Sequence, residues 1–182
     1  DNCKIDENIR PNSTMKKLNS LKLAFDQNGT VTAATSSPLT DGAAATLICE
    51  ENFAKENNLE IFGRIVSTAV EGCDPNFMGL GPISATKKAL ERAKLTINEI
   101  DIVELNEAFA SQSLACIKDL EIDPNKVNLD GGALALGHPL GATGARITGK
   151  AASLLKRENK NYALATQCIG LGMGIATIIK KI

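Results

Sequence analysis

The sequence predicts an α/β fold in which helices cover a mixed β-sheet. Segments with strand character alternate with helical segments along most of the chain, which is the pattern of a layered α/β domain. Only a short glycine-containing segment separates the last two strand candidates, so these can pair as an antiparallel hairpin. The chain has 182 residues, of which 43% are hydrophobic, and this is enough to bury a core.

The first third of the chain has the weakest element signals. Residues 1–27 are mostly polar, and we expect a surface loop that packs a few apolar side chains. Residues 29–33 are predicted to form a short strand. A helix is predicted from about residue 40 to residue 55, because Thr40 or Asp41 can cap its start and three alanines follow.

Hydrophobic periodicity and flanking turn residues predict the remaining elements. Residues 61–70 are rich in β-branched side chains, which favours a strand, and residues 71–82 are predicted to form a loop. The further predicted helices cover residues 83–94, 108–120 and 142–156, and the further strands cover residues 101–105, 127–129, 162–167 and 173–179.

Composition and charge exclude several classes of function. The 20 basic and 21 acidic residues leave a net charge of −1, and aromatic residues make up only 3% of the chain. These values argue against nucleic-acid binding, and no run of basic residues supports it. No apolar run reaches the roughly 18 residues that a membrane span needs, and no signal-peptide pattern is seen, so we expect a cytoplasmic protein without a membrane contact.

The histidine and cysteine content argues against a metal site. A single histidine, His138, and scattered cysteines make a zinc site unexpected. The odd number and wide spacing of the cysteines indicate neither a disulfide framework nor a redox pair. All but the last are predicted to be small buried hydrophobic residues; the five are Cys3, Cys49, Cys73, Cys116 and Cys168.

Glycine placement is the most informative local feature. More than half of the 15 glycines lie between residues 131 and 174, in two clusters. Glycine lets the backbone approach a ligand or another chain segment closely, so such clusters are typical of loops around a site. His138 lies in the first cluster and Cys168 opens the second, which favours a Cys–His acid/base pair over a loop histidine and a core cysteine.

Two nucleotide-binding patterns are only partly matched. Residues 144–151 resemble a phosphate-binding loop, but Ala151 stands where Ser or Thr would reach magnesium, and the segment falls within a helical pattern. Residues 170–174 lack the spacing and the following helix of a dinucleotide-binding fingerprint. No nucleotide site is therefore predicted.

Three motifs in fixed order resemble the C-terminal signatures of thiolases. They are Asn106–Ala110, Gly131–Gly141 and Cys168–Gly172, and the likeness extends upstream over nearly the whole chain. The resemblance implies a layered α-β-α fold with a mixed sheet, as in the C-terminal half of the two-half thiolase architecture. Residues 1–58 would be the tail of the loop domain plus the last strand and helix of the N-terminal half, and residues 59–182 the C-terminal domain.

The resemblance also implies roles for four residues. Cys168 would be the acid/base thiol that removes and returns an α-proton, which a thiol pKa of about 8.5 suits if the site lowers it somewhat. His138 would activate the nucleophile and then donate to the thioester oxygen of the incoming acyl-CoA. Asn106 would hold a water in that oxyanion site, and the Gly170 N–H would serve a second oxyanion hole.

Coenzyme A contacts follow from the same resemblance. Ser37 would bond the pantetheine arm, although Thr35–Pro38 replaces the turn sequence that is frequent in the family. Arg10 would lie near the adenine and phosphate end. The tunnel would be lined by Leu21, Phe25, Met78 and Phe109. CoA and acetyl-CoA would be substrates, with no tightly bound cofactor.

The activity predicted from the resemblance is that of an acetyl-CoA acetyltransferase, which condenses two acetyl-CoA molecules to acetoacetyl-CoA and CoA and catalyses the reverse thiolysis. A degradative 3-ketoacyl-CoA thiolase is the alternative, because it shares every motif named above. A non-catalytic thiolase-like module that binds acyl-CoA or lipid is an alternative of another class. Ketoacyl synthases are disfavoured, because they use a second histidine in place of the C-terminal cysteine.

The nucleophilic cysteine of the family has no counterpart in the sequence. Its motif lies in the N-terminal half, and none of the cysteines here matches it. We therefore expect Asp1 to be a truncation point, the missing N-terminal half to be a partner, and the chain alone to be inactive. Full-length relatives would form homo-oligomers, and the isolated chain should expose an apolar interface and self-associate.

Overall fold

A computed structural model describes residues 6–182, so the expectation for Cys3 lies outside the described residues. Its centre is a four-stranded sheet in the order β1-β4-β3-β2. The strands are β1 (Arg64–Gly72), β2 (Ile102–Leu105), β3 (Tyr162–Ile169) and β4 (Met173–Lys180).

Strand direction in this sheet is mixed, as predicted. The neighbours β1 and β4 are antiparallel, β4 and β3 form the predicted antiparallel hairpin, and β2 runs parallel to β3. Val127 makes a parallel bridge to Val103, which extends the sheet beyond β2 by one residue pair. The parallel pair matters for the site, because the carboxyl ends of β2 and β3 meet at one edge of the sheet.

Helices cover both faces of the sheet, which confirms the layered α/β prediction. The α-helices of the described residues are α1 (Met15–Asn19), α2 (Glu51–Glu56), α3 (Gly81–Ala93), α4 (Ala110–Asp119), α5 (Ala133–Leu136) and α6 (Thr143–Arg157). Because side chains alternate along a strand, Val103 and Leu164 pack with α3 and α4, whereas Ile102 and Ala163 pack under α6. The result is two apolar clusters on opposite faces of one sheet.

Two glycines set the position of α3 against β4. A Cβ atom at Gly174 would overlap the Gly81 carbonyl, and a Cβ atom at Gly81 would overlap the Met173 carbonyl. Backbone therefore meets backbone at this crossing, and only glycine fits on either side. Pro82 lies in the first turn of α3, where its missing N–H costs nothing, and Lys94 ends the helix in a left-handed conformation (φ 56°).

From residue 61 onward most of the predicted elements are confirmed within a few residues, whereas the expectations for the first third were partly wrong. Residues 37–50 form no helix, and α2 is confined to Glu51–Glu56. Residues 41–50 are exposed along their whole length, so they gain no packing that would repay the ordering of a helix.

Three short elements also differ from the predictions. The strand expected at 29–33 is a single bridge between Leu23 and Thr32, followed by a 3-10 turn in which Thr32 and Thr35 cap each other. The helix α1, which the Thr14 hydroxyl caps, interrupts the expected N-terminal loop. The four-residue α5 was not predicted, because it is too short to show a helical period.

Candidate active site

The three motif segments lie at the edge where β2 and β3 end. Asn106 directly follows β2, and its N–H donates to the Thr166 carbonyl of β3 over 3.0 Å. Asn106 therefore lies beside Gln167 of β3, and Cys168 is the next residue of that strand. His138 precedes α6, which packs against β2 and β3. The parallel pairing thus brings two of the motifs together, and the third lies in the segment that leads into α6.

Asn106 is buried, with 1% of its surface exposed. Within residues 6–182, neither its side-chain oxygen nor its side-chain nitrogen has a hydrogen-bond partner. A buried amide without partners is costly, so both atoms are suited to bind a water or a substrate oxygen.

His138 is held by its ring and by its backbone. Its Nδ1 lies 2.7 Å from the Thr143 hydroxyl oxygen, and that hydroxyl donates its only hydrogen to the Pro139 carbonyl over 3.1 Å. In that arrangement the oxygen accepts from Nδ1–H, and Nε2 keeps a lone pair. The backbone N–H of His138 donates to the Thr40 hydroxyl over 3.3 Å.

The charge state of His138 follows from its surroundings. Burial lowers the pKa of its imidazole, and the positive charge of Arg146 lowers this pKa further. The neutral ring is therefore favoured near neutral pH, and a neutral ring can accept a proton at Nε2.

Cys168 is half-buried, and its thiol differs from expectation. Burial raises the pKa of Cys168, the nearby Cys73 adds to the rise, and the Cys168 backbone N–H only partly opposes it. The surroundings thus raise this pKa, whereas the role implied by the resemblance suits a thiol whose pKa is lowered somewhat. The thiol form is favoured at neutral pH, because no positively charged side chain is among the causes of the shift.

The turn after β3 presents Gly170. This glycine is exposed, and a side chain there would meet no atom within 4 Å. Gly172 has a positive φ of 89°, and its carbonyl accepts from the Cys73 N–H over 2.8 Å. The second glycine cluster is therefore a tight turn fixed against the residue that follows β1.

Three of the expected CoA contacts lie together beside the Asn106 segment. The Ser37 N–H donates to the Ala108 carbonyl over 3.0 Å, and Ser36 forms a bridge with Phe109. The rings of Phe25 and Phe109 meet edge to face with centroids 6.3 Å apart.

The other expected CoA contacts lie elsewhere. Leu21 lines a separate hollow with Met15 and Leu18. Met78 lies in a 3-10 turn whose carbonyls face the Cys73 sulfur, and Arg10 is exposed near the start of the described chain.

Glu107 and Asn128 were missed by the sequence analysis. The Glu107 carboxylate accepts from the Asn128 side-chain amide over 2.8 Å and from the Leu134 N–H over 3.0 Å. The Asn128 side chain also bonds both the N–H and the carbonyl of Leu105, each over 2.9 Å. The only signal in the sequence was the position of Glu107 directly after Asn106.

A second missed group is a set of buried polar side chains under α6. Glu104 is 2% exposed, and burial raises its pKa to about 7 despite the opposing charges of Arg146 and Lys150. One oxygen of Glu104, the Nε of Arg146 and the side-chain oxygen of Gln167 have no partner among the described residues.

A cavity of about 700 Å³ lies away from these residues. It opens between α6, the chain before β1 and the extended segment 45–49, and none of Asn106, His138 or Cys168 lines it. In the described chain, no set of three or more His, Cys, Asp or Glu side chains is arranged to bind a metal. None of the described helices is both long and apolar enough to span a membrane.

Comparison with known proteins gives the same assignment over almost the whole chain. The family model described as "Thiolase, C-terminal domain" matches residues 59–181, and "Thiolase, N-terminal domain" matches residues 1–52. A 3-ketoacyl-CoA thiolase of Vibrio parahaemolyticus is 56% identical over 180 residues, which are 97% of this chain and 46% of the relative. A 3-ketoacyl-CoA thiolase of Shewanella oneidensis is 54% identical over 181 residues, 97% of this chain and 47% of the relative.

Solved structures show the same fold. Human mitochondrial 3-ketoacyl-CoA thiolase matches with a TM-score of 0.91 at 44% identity, over 98% of this chain and 45% of that one. The Bacillus anthracis acetyl-CoA acetyltransferase matches with a TM-score of 0.94 at 44% identity, over 97% of this chain and 45% of that one. The chain spans about half the length of the relatives it matches. The resemblance drawn from the three motifs is confirmed: the chain belongs to the thiolase family.

Proposed function

We propose that this chain is part of a 3-ketoacyl-CoA thiolase, which uses CoA to cleave a 3-ketoacyl-CoA into acetyl-CoA and a shortened acyl-CoA. The observation that carries the proposal is the position of Asn106 and Cys168 at the ends of neighbouring strands, with His138 in the segment before α6. The chain that contains them is more than 50% identical to proteins of that name. The relatives thus support the degradative alternative better than the acetyl-CoA acetyltransferase expected from the sequence.

Cleavage begins when a nucleophilic cysteine attacks the 3-keto carbon. We propose that the N-terminal half of the complete enzyme supplies this cysteine and that His138 takes its proton at Nε2, the nitrogen left with a lone pair. The C2–C3 bond then breaks, the acyl group stays on the cysteine, and the electron pair passes to the enolate of acetyl-CoA.

Cys168 completes this step as the acid. Its thiol proton goes to C2 of the enolate, which leaves as acetyl-CoA. The Cys168 thiolate then takes the thiol proton of CoA, the CoA sulfur attacks the acyl-enzyme carbonyl, and the bond from that carbonyl to the nucleophilic cysteine breaks. His138 returns its proton to the released cysteine sulfur, so both residues regain their starting states. The raised pKa of Cys168 fits this direction, because a thiol must be protonated to donate. Asn106, through a water, and His138 would stabilise the enolate oxygen, and the Gly170 N–H would face the acyl-enzyme carbonyl.

The substrate would enter along the Asn106 segment. We propose that Ser37, Phe25 and Phe109, which lie together there, bind the pantetheine arm, whereas Arg10, Leu21 and Met78 contact the remainder of CoA. CoA and acyl-CoA are then the substrates, and the human relative has been solved in complex with CoA. The division into residues 1–58 and 59–182, the homo-oligomeric state and the cytoplasmic location stay predictions.

Condensation of two acetyl-CoA molecules is the second candidate function. The Bacillus anthracis acetyl-CoA acetyltransferase has the highest TM-score of the structures described above, 0.94. Since the two reactions share one set of motifs, chain-length dependence separates them. Thiolysis that is faster for longer 3-ketoacyl-CoA than for acetoacetyl-CoA supports the first proposal, and a strong preference for acetoacetyl-CoA supports the second.

The test of the catalytic assignment is Cys168→Ala in the complete enzyme that contains this chain. Loss of a general acid/base is expected to lower the thiolysis kcat about 100- to 10,000-fold. Cys49→Ala is the matched control, because Cys49 is exposed and is not part of the proposed site. Turnover at the parent rate by Cys168→Ala would contradict the proposal, and acyl-CoA binding without any thiolysis by the parent protein would favour the non-catalytic module.

A further inference from the structure

Glu107 belongs to the first motif segment, and each of its two carboxylate oxygens accepts a hydrogen bond from a different part of the chain. One oxygen accepts from the Leu134 N–H over 3.0 Å, near the start of α5. The other accepts from the Asn128 side-chain amide over 2.8 Å. Hydrogen bonds to a carboxylate are stronger than those between neutral groups, so the two contacts form a firm connection.

Asn128 fixes the other side of this connection. Its amide group pairs with both backbone groups of Leu105, the last residue of β2, and its second amide hydrogen goes to Glu107. Asn128 is buried and adopts a left-handed conformation with φ 48°, which asparagine tolerates better than most residues. The end of β2, and with it the backbone that leads into Asn106, is thereby held in place.

The segment from Gly132 to His138 begins at the same carboxylate. A Cβ atom at Gly132 would overlap the Glu107 carboxylate, so the backbone approaches this group as closely as glycine allows. The segment ends where the His138 N–H donates to Thr40 and the His138 ring contacts Thr143. Its path is therefore fixed by Glu107 at one end and by Thr40 and Thr143 at the other.

We propose that Glu107 is a positioning residue that sets the placement of Asn106 and His138 relative to each other. The inference rests on the proposed function, in which these two side chains stabilise one enolate oxygen. Glu107 directly follows Asn106 in the chain and bonds the segment that leads to His138. Because an oxyanion site depends on donor placement within a fraction of an ångström, a small displacement of either segment weakens both donors.

Glu107→Gln is the sharpest variant, because it keeps the size and shape of the side chain. A carboxamide has one acceptor oxygen and one NH2 group, whereas the structure presents two donors, Asn128 Nδ2 and Leu134 N–H. One of these two donors must then face the NH2 group of the new carboxamide, which is also a donor. The matched control is Glu99→Gln. The Glu99 carboxylate also accepts from a backbone N–H, that of Thr96, over 2.8 Å. This contact caps a short 3-10 helix in another part of the chain.

The experiment measures thiolysis and hydrogen–deuterium exchange on the complete enzyme. We expect Glu107→Gln to lower kcat about 10- to 100-fold with little change in KM, and to speed exchange in residues 132–138. Glu99→Gln should leave kcat and that exchange unchanged. If the Glu107→Gln enzyme has the kcat of the parent enzyme, the positioning role is overturned and the proposed function stands. If the parent enzyme shows no thiolysis, the proposed function is overturned. Loss of kcat without faster exchange in that segment, or an equal loss in Glu99→Gln, would also overturn the positioning role.

Discussion

Thr143 determines which nitrogen of His138 can act as a base. When its hydroxyl hydrogen points to the Pro139 carbonyl, its oxygen accepts from the imidazole Nδ1. The proton on Nδ1 leaves Nε2 as the basic nitrogen, and burial together with Arg146 keeps the ring neutral. A first-turn threonine of α6 thus performs the orienting task that a carboxylate performs in many Cys–His and Ser–His sites.

Glu104 gives a prediction for stability against pH. Its pKa rises from an ordinary value of 4.5 to about 7 in the folded chain, mainly because burial disfavours the carboxylate. Between these values the folded state keeps a proton that the unfolded state releases, so stability falls as pH rises from about 4.5 to about 7 and is level above that. The full difference is about 3 kcal/mol. Glu104→Gln cannot ionise, so it should lose this slope and be more stable than the parent at about pH 8.

Urea unfolding of the parent and of Glu104→Gln at about pH 5 and about pH 8 measures the effect. Every charged group that acts on Glu104 is retained, namely Arg146, Lys150, Asp130 and Glu107. Glu56→Gln is the control, because Glu56 is exposed at the end of α2. An equal pH slope for Glu104→Gln and the parent would show that the carboxylate of Glu104 is not the source.

The sequence predicts the motif-bearing residues of the site better than the residues that hold them. Asn106, His138 and Cys168 stand in recognisable motifs, and the structure places the motif segments at one sheet edge. Thr143, Asn128 and Glu104 carry no such signal, because their importance comes from interactions with residues up to 46 positions away in the chain. The pKa of Cys168 could not be predicted for the same reason, since burial by distant segments determines it.

Among the elements, the crossing of α3 and β4 depends on two glycines in contact. A side chain on Gly81 or Gly174 would overlap backbone carbonyl atoms, and backbone cannot move aside as a flexible side chain can. Since α3 packs on β1, β3 and β4, a shift there would disturb a large part of one apolar layer.

Gly174→Ala is therefore expected to destabilise the fold by about 1–3 kcal/mol, the usual cost of overpacking, or more if the backbone cannot shift. Gly141→Ala is the matched control, because a Cβ atom there would meet nothing within 4 Å and Gly141 does not have a positive φ. Thermal unfolding of both variants tests this expectation. Equal melting temperatures for the two would contradict the close contact between α3 and β4.

Element prediction succeeded where each segment packs against another and failed where it does not. The helix α6 has apolar residues at Ile147, Ala151 and Leu154, and all three are buried against the sheet. The predicted helix over 40–55 relied on a capping residue and alanines, which are local signals worth a few tenths of a kcal/mol each, about the size that tertiary context overrides. Its Leu47 and Ile48 are exposed and lie in a segment that forms neither helix nor strand.

For the whole molecule, the distribution of exposed apolar side chains is uneven. Along β1, an edge strand, Ile65, Val66 and Val70 are exposed. Near its start, the exposed residues Leu47, Ile48, Phe53 and Phe62 surround or adjoin the 700 Å³ cavity. Apolar patches of this kind and unpaired strand edges favour association in water.

The isolated 182-residue chain is therefore expected to self-associate in a concentration-dependent way, which sedimentation velocity measures. Replacing Val66 and Val70 by Lys places two charges on the edge strand and should shift the distribution towards the monomer, because charged edges resist strand pairing. Met15→Lys is the control, since Met15 is 70% exposed but lies on α1, away from this surface. A parent chain that stays monomeric at high concentration, or equal effects of Met15→Lys and the β1 variant, would show that the exposed β1 surface does not drive association.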